Sequence, residues 1–143
     1  MFLIVCTANV CRSPMAEALW REAAKGRRRP LPVTSAGVDA EPGREADATC
    51  VELMAAKGID ISGHQAQRFN ADRAWDCELI LVMEPEHQRR IQQTAPELAG
   101  RVQLLGRWGA GPIADPYRQA REQYEECVGQ LEQAIAGWMK KIP

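Results

Sequence analysis

The chain has 143 residues, 45% of them hydrophobic and 26% charged, and a formal net charge of −1. That length and apolar content suit one domain with a single sizeable core, and the near-neutral balance gives no electrostatic reason to bind nucleic acid or an anionic membrane. No apolar run approaches the ~20 residues needed to span a bilayer, and Met1 leads straight into an apolar stretch without the basic start of a signal peptide. Membrane insertion is therefore not expected, and a cytoplasmic location is. Five cysteines, with no CxxC pair and no His/Cys cluster along the chain, fit reduced thiols and give no linear signature of a metal site.

In chain order, residues 2–5 are apolar and partly β-branched, as in a strand buried on both faces. Cys6, Thr7, Ala8, Asn9, Val10, Cys11, Arg12 and Ser13 follow, and then a helix-like run over 14–25 with Met15, Leu19 and Trp20 spaced for one buried side. Strand, short loop, helix is the geometry that gathers backbone N–H groups and a helix N-terminus around one anion. Here the loop begins with a thiol and closes, five residues on, with a guanidinium. Arg12 can grip two oxygens of a phosphoryl group at once, and the amides, Arg12 and the helix dipole all favour a thiolate at Cys6. Ser13 is placed either to donate to the Cys6 sulfur or to cap the helix, with Pro14 at its first position. Asn9 is a residue type that tolerates left-handed backbone, which suits so tight a loop. Cys11, five residues from Cys6 in a loop that curls on itself, is a candidate disulfide partner for it; packing against the sheet is the alternative.

Further on, a second strand is expected over 31–35, closing on Ser35, Ala36 and Gly37, and a loop over 38–43. The basic run Arg27, Arg28, Arg29 reads as a solvated turn after a helix end, with a docking patch as the alternative. A helix over 46–57 stops at Gly58 and carries Cys50 in a structural role; His64, taken alone, is a surface or structural residue. A strand over 79–83, a polar helix over 84–94 with Pro85 in its first turn, and a strand over 102–105 lead to a Gly- and Pro-rich loop over 106–116. The closing helix spans about 118–141 with Tyr124, Val128, Leu131, Ile135 and Trp138 as its buried stripe. Strands alternating with helices make this an α/β chain, a single domain with a short parallel sheet flanked by helices on both faces, Rossmann-like or flavodoxin-like. Its ligand site belongs at the carboxyl ends of the strands, where Cys6 also falls.

A thiolate that attacks a phosphate monoester must expel an alkoxide or phenoxide, so a proton donor is needed. Asp115, held by Pro116 in the loop before the last helix, is the candidate, and Tyr117 offers an aromatic face beside it. No metal ion is required, because Arg12 and the amides neutralise the phosphoryl charge.

The loop, the Ser13-Pro14-Met15-Ala16-Glu17-Ala18 helix start and Asp115-Pro116-Tyr117 together resemble the low-molecular-weight protein tyrosine phosphatases, nearly end to end. The likeness is to the bacterial branch associated with capsule and exopolysaccharide tyrosine kinases. It implies a phosphotyrosine phosphatase I-like fold over residues 1–143 and hydrolysis of protein phosphotyrosine through a cysteinyl-phosphate intermediate. It further implies Cys6 as nucleophile, Arg12 as phosphate clamp, Asp115 as general acid and base, and no cofactor. Thr7, Ala8, Asn9, Val10, Cys11, Ser13 and Tyr117 would contact the substrate, and Ser35 and His64 (bonded to Asn9) would support the loop. The implied partner is a phosphotyrosine protein, an autophosphorylating bacterial tyrosine kinase. Ala8 stands where the family usually has glycine, a departure that can strain the loop without removing an amide donor. No aromatic stands in 38–43, where animal members build a substrate wall.

Three other activities share parts of this pattern. A protein-arginine phosphatase tends to carry threonine after the loop asparagine, where this chain has Val10. Thioredoxin-linked arsenate reductase needs two further cysteines in a mobile segment, whereas Cys77 stands alone and Cys127 lies in the last helix. A non-enzymatic phosphate-binding module would need neither Cys6 nor Asp115.

Overall fold

The computed structural model describes residues 1–143. Four parallel strands, β1 (Phe2–Cys6), β2 (Val33–Gly37), β3 (Leu79–Val82) and β4 (Val102–Leu104), form one sheet in the order β2-β1-β3-β4. Five helices surround it: α1 (Arg12–Ala24), α2 (Ala48–Ala55), α3 (Ala71–Ala74), α4 (Pro85–Thr94) and α5 (Arg121–Lys141).

The β1 sequence shows why helices cover both faces. Side chains alternate along a strand. Phe2, Ile4 and Cys6 join one buried cluster with Met15, Trp20, Leu131, Ile135 and Trp138, while Leu3 and Val5 join another with Ile80, Val82, Ile91 and Leu98. Complete burial of a large apolar side chain contributes roughly 1.5–3 kcal/mol, so both layers are strongly fixed. The indoles in the first layer bury their polar ends as well as their rings. Trp20 Nε1 donates to the Leu31 carbonyl (3.1 Å) and Trp138 Nε1 to that of Leu105 (2.7 Å).

Several boundaries differ from the sequence reading, each for a local reason. β2 begins at Val33, since Pro30 and Pro32 have no N–H to give to a ladder, and the Pro32 carbonyl instead receives the Phe2 N–H at 2.8 Å. α1 begins at Arg12, which puts Pro14 third in the helix, still among the orphan donors of the first turn. The Ser13 hydroxyl does not cap it. α2 is shorter than 46–57 because the Asp47 side chain caps it on the Thr49 N–H, and Gly58 sits in left-handed backbone at φ 77° beyond its end. α5 starts at Arg121 because Arg118 has φ 63°, incompatible with a helix. The four-residue α3, capped by Asn70, was not foreseen.

The basic run is only partly a solvated turn. Arg27 donates to the carbonyls of Met139 (3.1 Å) and Ile142 (2.5 Å) at the end of α5, and Arg29 pairs with Glu78. Cations at a helix C-terminus satisfy its orphan carbonyls. No helix is long and apolar enough to cross a membrane.

β1 is flanked by β2 on one side and β3 on the other, with connections leaving in opposite directions. That is the switch point at which open parallel sheets bind ligands. The chain leaves β1 there through residues 7–11.

Candidate active site

The loop after β1 is shaped by what its carbonyls do. Those of Cys6, Thr7 and Val10 accept the N–H groups of Val38 (3.0 Å), Asp39 (2.9 Å) and Asp47 (2.8 Å), and that of Cys11 accepts from Met15 (3.2 Å). His64 Nε2 donates to the Asn9 carbonyl at 2.7 Å. None of the N–H groups of Thr7, Ala8, Val10 or Cys11 is spent on another backbone group. Carbonyls tied outward and amides left unspent are what a concave anion cradle requires.

Asn9 makes the turn. It has φ 58°, and its Oδ1 accepts the Gln67 N–H at 2.8 Å, which fixes the amide so that Nδ2 donates to Ser13 Oγ (2.7 Å) and Ser35 Oγ (3.0 Å). Ser35 in turn donates to the Glu17 carboxylate, which is paired with Arg21. Ser13 Oγ accepts from Asn9 and lies 2.9 Å from Cys6 Sγ, so its own hydrogen is free to donate to the sulfur once that sulfur is a thiolate. The thiol is buried, and burial pushes its pKa above the ordinary value. Arg12, the Ser13 hydroxyl and the backbone N–H groups of Ser13 and Asn9 pull the other way.

Arg12 is 2% exposed, so its charge needs fixed partners. Nη1 pairs with Glu84 and donates to the Ile113 carbonyl (2.7 Å); Nη2 reaches Thr7 Oγ1 (3.4 Å) and Asp115 Oδ2 (3.7 Å). One guanidinium edge is thus held from behind while the other faces the loop. Thr7 Oγ1 also contacts His87 Nε2 at 2.9 Å, and the Glu84 N–H donates to His87 Nδ1 at 3.2 Å. A ring whose Nδ1 accepts carries its proton on Nε2, so His87 donates to Thr7. Burial, and then Arg12, push the His87 pKa down, favouring that neutral form.

Asp115 lies across from this loop. Ile113 is fully buried and its N–H donates to the Met83 carbonyl (2.9 Å), anchoring the segment at the end of β3 two residues before the aspartate. The carboxylate is 44% exposed, accepts the Tyr117 N–H on Oδ1 at 3.0 Å and turns Oδ2 toward Arg12. Tyr117 packs with Ala8 against buried Val10, Ala40 and Ala66. Arg44 donates to the Tyr117 hydroxyl (2.7 Å), and Arg118 and Arg44 together lower the phenol's pKa. Ala8 has no positive φ, so a methyl in place of the family's glycine carries no left-handed strain.

Cys6, Thr7, Ala8, Asn9, Val10, Arg12, Ser13, Ser35, His64, Asp115 and Tyr117 are therefore gathered around one loop. Cys11 belongs to that loop too, but its sulfur rests 3.1 Å from Cys50 Sγ, while the Cys6 sulfur rests on Ser13. Sequence reasoning missed Glu84, His87, Glu17, Gln67 and Arg44. The available signal was Glu84 at the end of β3, beside β1 in a parallel sheet, with Pro85 and His87 forming a helix start. Linear spacing also concealed that Cys11, Asp47 and Cys50 place ligand atoms within 4.8 Å of one another. Both Asp47 oxygens are committed, to the Thr49 N–H and to the Tyr124 hydroxyl (2.6 Å).

The sequence and the fold have counterparts among known proteins. The chain is 38% identical over 141 residues to the low molecular weight protein-tyrosine-phosphatase Etp of Escherichia coli, covering 98% of this chain and 93% of that relative. The crystal structure of the Erwinia amylovora tyrosine phosphatase AmsI matches with a TM-score of 0.90 at 36% identity, covering 99% of this chain and 91% of that one. Vibrio vulnificus Wzb in complex with benzylphosphonate matches with a TM-score of 0.90 at 34% identity, covering 99% and 97%. The model of the family described as low molecular weight phosphotyrosine protein phosphatase matches residues 1–143, and the chain belongs to that family.

Proposed function

We propose that the chain hydrolyses phosphotyrosine in proteins, with Cys6 as nucleophile, Arg12 as phosphate clamp and Asp115 as general acid and base. The observation that carries this reading is the hydrogen-bonded chain Asn9–Ser13–Cys6 beneath unspent loop amides, with Arg12 and Asp115 facing it. The phosphoryl oxygens take the loop N–H groups and the loop-facing edge of Arg12, which stabilise negative charge as it spreads in the transition state. The Cys6 thiolate attacks phosphorus in line with the leaving phenol, and the Ser13 hydroxyl and loop N–H groups stabilise that anion. Asp115 protonates the departing oxygen, and the same carboxylate then takes a proton from water as the cysteinyl-phosphate is hydrolysed. Every charge in this sequence is met by protein groups, so no metal ion is invoked.

The ring of Tyr117 beside Ala8, backed by buried Val10, Ala40 and Ala66, supports an aryl substrate, and the binding of benzylphosphonate by the Vibrio relative fits the same chemistry. The substrate is proposed to be an autophosphorylating tyrosine kinase of capsule or exopolysaccharide synthesis, met in the cytoplasm. That assignment rests on the family resemblance. The test is Cys6→Ser: turnover of phosphotyrosine peptide is expected to vanish while inorganic phosphate still binds. Labelled phosphate rapidly quenched on the wild type should appear as a thiophosphate that the variant lacks. Substantial activity in Cys6→Ser overturns the mechanism.

A further inference from the structure

We propose that Cys11 and Cys50 are a disulfide-forming pair, an oxidative modification site that ties the phosphate-binding loop to α2 and leaves Cys6 a free thiol. The two sulfurs are already in contact at 3.1 Å, and an S–S bond of about 2.05 Å requires them to close by only about 1 Å. Both are carried on fixed backbone. Cys11 directly precedes Arg12, and its carbonyl accepts from Met15 in the first turn of α1. Cys50 is the third residue of α2, whose cap residue Asp47 donates its N–H to the Val10 carbonyl at 2.8 Å. Loop and helix are therefore in register across the pair before any bond forms.

The other thiols are placed differently. Cys6 is held by Ser13, and Cys77 belongs to the opposite core layer. Cys127 is buried in the same layer as Cys11, on α5, and is the natural competitor. All five cysteines are free thiols. The contact with Cys50 and burial both push the Cys11 pKa up, so its reactive thiolate is a minor form and Cys11 oxidises more slowly than an exposed, low-pKa cysteine.

Hydrogen peroxide is the oxidant proposed. One sulfur attacks a peroxide oxygen, becoming a sulfenic acid as water leaves; the second sulfur then displaces that hydroxyl as a second water. Two electrons pass from the sulfurs to peroxide, and both thiol protons end in the waters. Cys6 takes no part, so the linked protein keeps its reactive sulfur while the residue before Arg12 becomes covalently anchored.

The linkage does not depend on the phosphatase reading, and the first test is made where that reading has no influence. Cys6→Ser protein is exposed to peroxide, free thiols are blocked, and peptides are mapped without reduction. A peptide pair joining Cys11 to Cys50, lighter by two hydrogens than the reduced pair, is expected, together with a raised melting temperature that dithiothreitol reverses. Cys50→Ala and Cys50→Ser, each made in the Cys6→Ser background, should lose both signals. Wild-type protein oxidised with inorganic phosphate covering Cys6, then freed of phosphate, should carry the same linkage and still turn over substrate. Linkage of Cys11 to Cys127, linkage of Cys11 to Cys6 in the wild type, or sulfinic and sulfonic acids with Cys50 untouched would each overturn the proposal. So would zinc retained at one per chain by the purified protein that prevents linkage until it is chelated.

Discussion

Asn9 orders the serines behind Cys6. Its amide donates to both Ser13 and Ser35, so neither serine can return a proton to it, and the Ser13 hydrogen stays available to a thiolate at Cys6. Against this, burial pushes the Cys6 thiol up, and the sulfur becomes an effective nucleophile only through the groups that oppose burial. The leaving group needs a different device. A phenol with pKa near ~10 departs slowly as an anion, and a positioned acid is worth roughly 10²–10⁴-fold, or about 3–5 kcal/mol of barrier. Asp115→Asn should therefore slow phosphotyrosine hydrolysis by about that factor, and slow an activated nitrophenyl phosphate much less. Single-turnover rates on a series of aryl phosphates, plotted against leaving-group pKa, should give a steeper line for the variant. Parallel lines would move the acid to another group. Phosphate affinity should change little, since Arg12 and the loop amides hold the anion.

At the level of elements, β2 packs closely against the loop from the side. Gly37 pairs with Cys6 across the ladder, and a Cβ there would lie 2.5 Å from the Thr7 carbonyl oxygen and 2.8 Å from the Asn9 nitrogen. Those neighbours are backbone and cannot swing aside. Gly37→Ala should displace the loop; overpacking of this kind costs about 1–3 kcal/mol of stability, and a shift near 1 Å at reacting groups costs about 10²-fold in rate. A crystal structure of the variant with an unmoved loop, or kcat/KM within a few-fold of wild type, would show that the contact is harmless. The loop itself was legible in the sequence because its signals are local: an apolar run, a thiol, a guanidinium five residues on, and Ser13-Pro14. Asp115 was legible because the chemistry demanded an acid and Pro116 marked a loop. Glu84 and His87 were not, since only the β1–β3 pairing brings position 84 beside position 12, and no short-range pattern states which strand lies next to which. Ser13 left two roles open, and the fold keeps one: its hydroxyl makes no cap bond and lies against the Cys6 sulfur. Cys50 read as a structural helix residue, and its contact with Cys11 spans 39 positions of chain.

Across the whole molecule, two core layers meet at the sheet, and the site sits where both end. The layer with α1 and α5 carries Cys6, while the layer with α4 brings His87, itself 2% exposed, to Thr7 and the Arg12–Glu84 pair. That burial links global stability to pH. Folding holds the His87 pKa below its ordinary 6.5, so the unfolded chain binds more protons wherever the pH lies between the two values. Stability therefore rises with pH through that window. The contribution is fully present above about 6.5 and is lost progressively as pH falls toward the lower, folded value. Glutamine at position 87 keeps a donor for Thr7 and an acceptor for the Glu84 N–H, but has no proton to gain. Urea unfolding of wild type and His87→Gln, measured in steps downward from pH 7.5, should give a difference in stability that shrinks as pH falls below about 6.5, with the wild type losing stability faster. A constant difference across that range would show that His87 titrates alike in the folded and unfolded chain. A difference that widens toward acid would mean that the folded protein binds the proton more tightly, and that the charged ring rather than the neutral one supports Thr7.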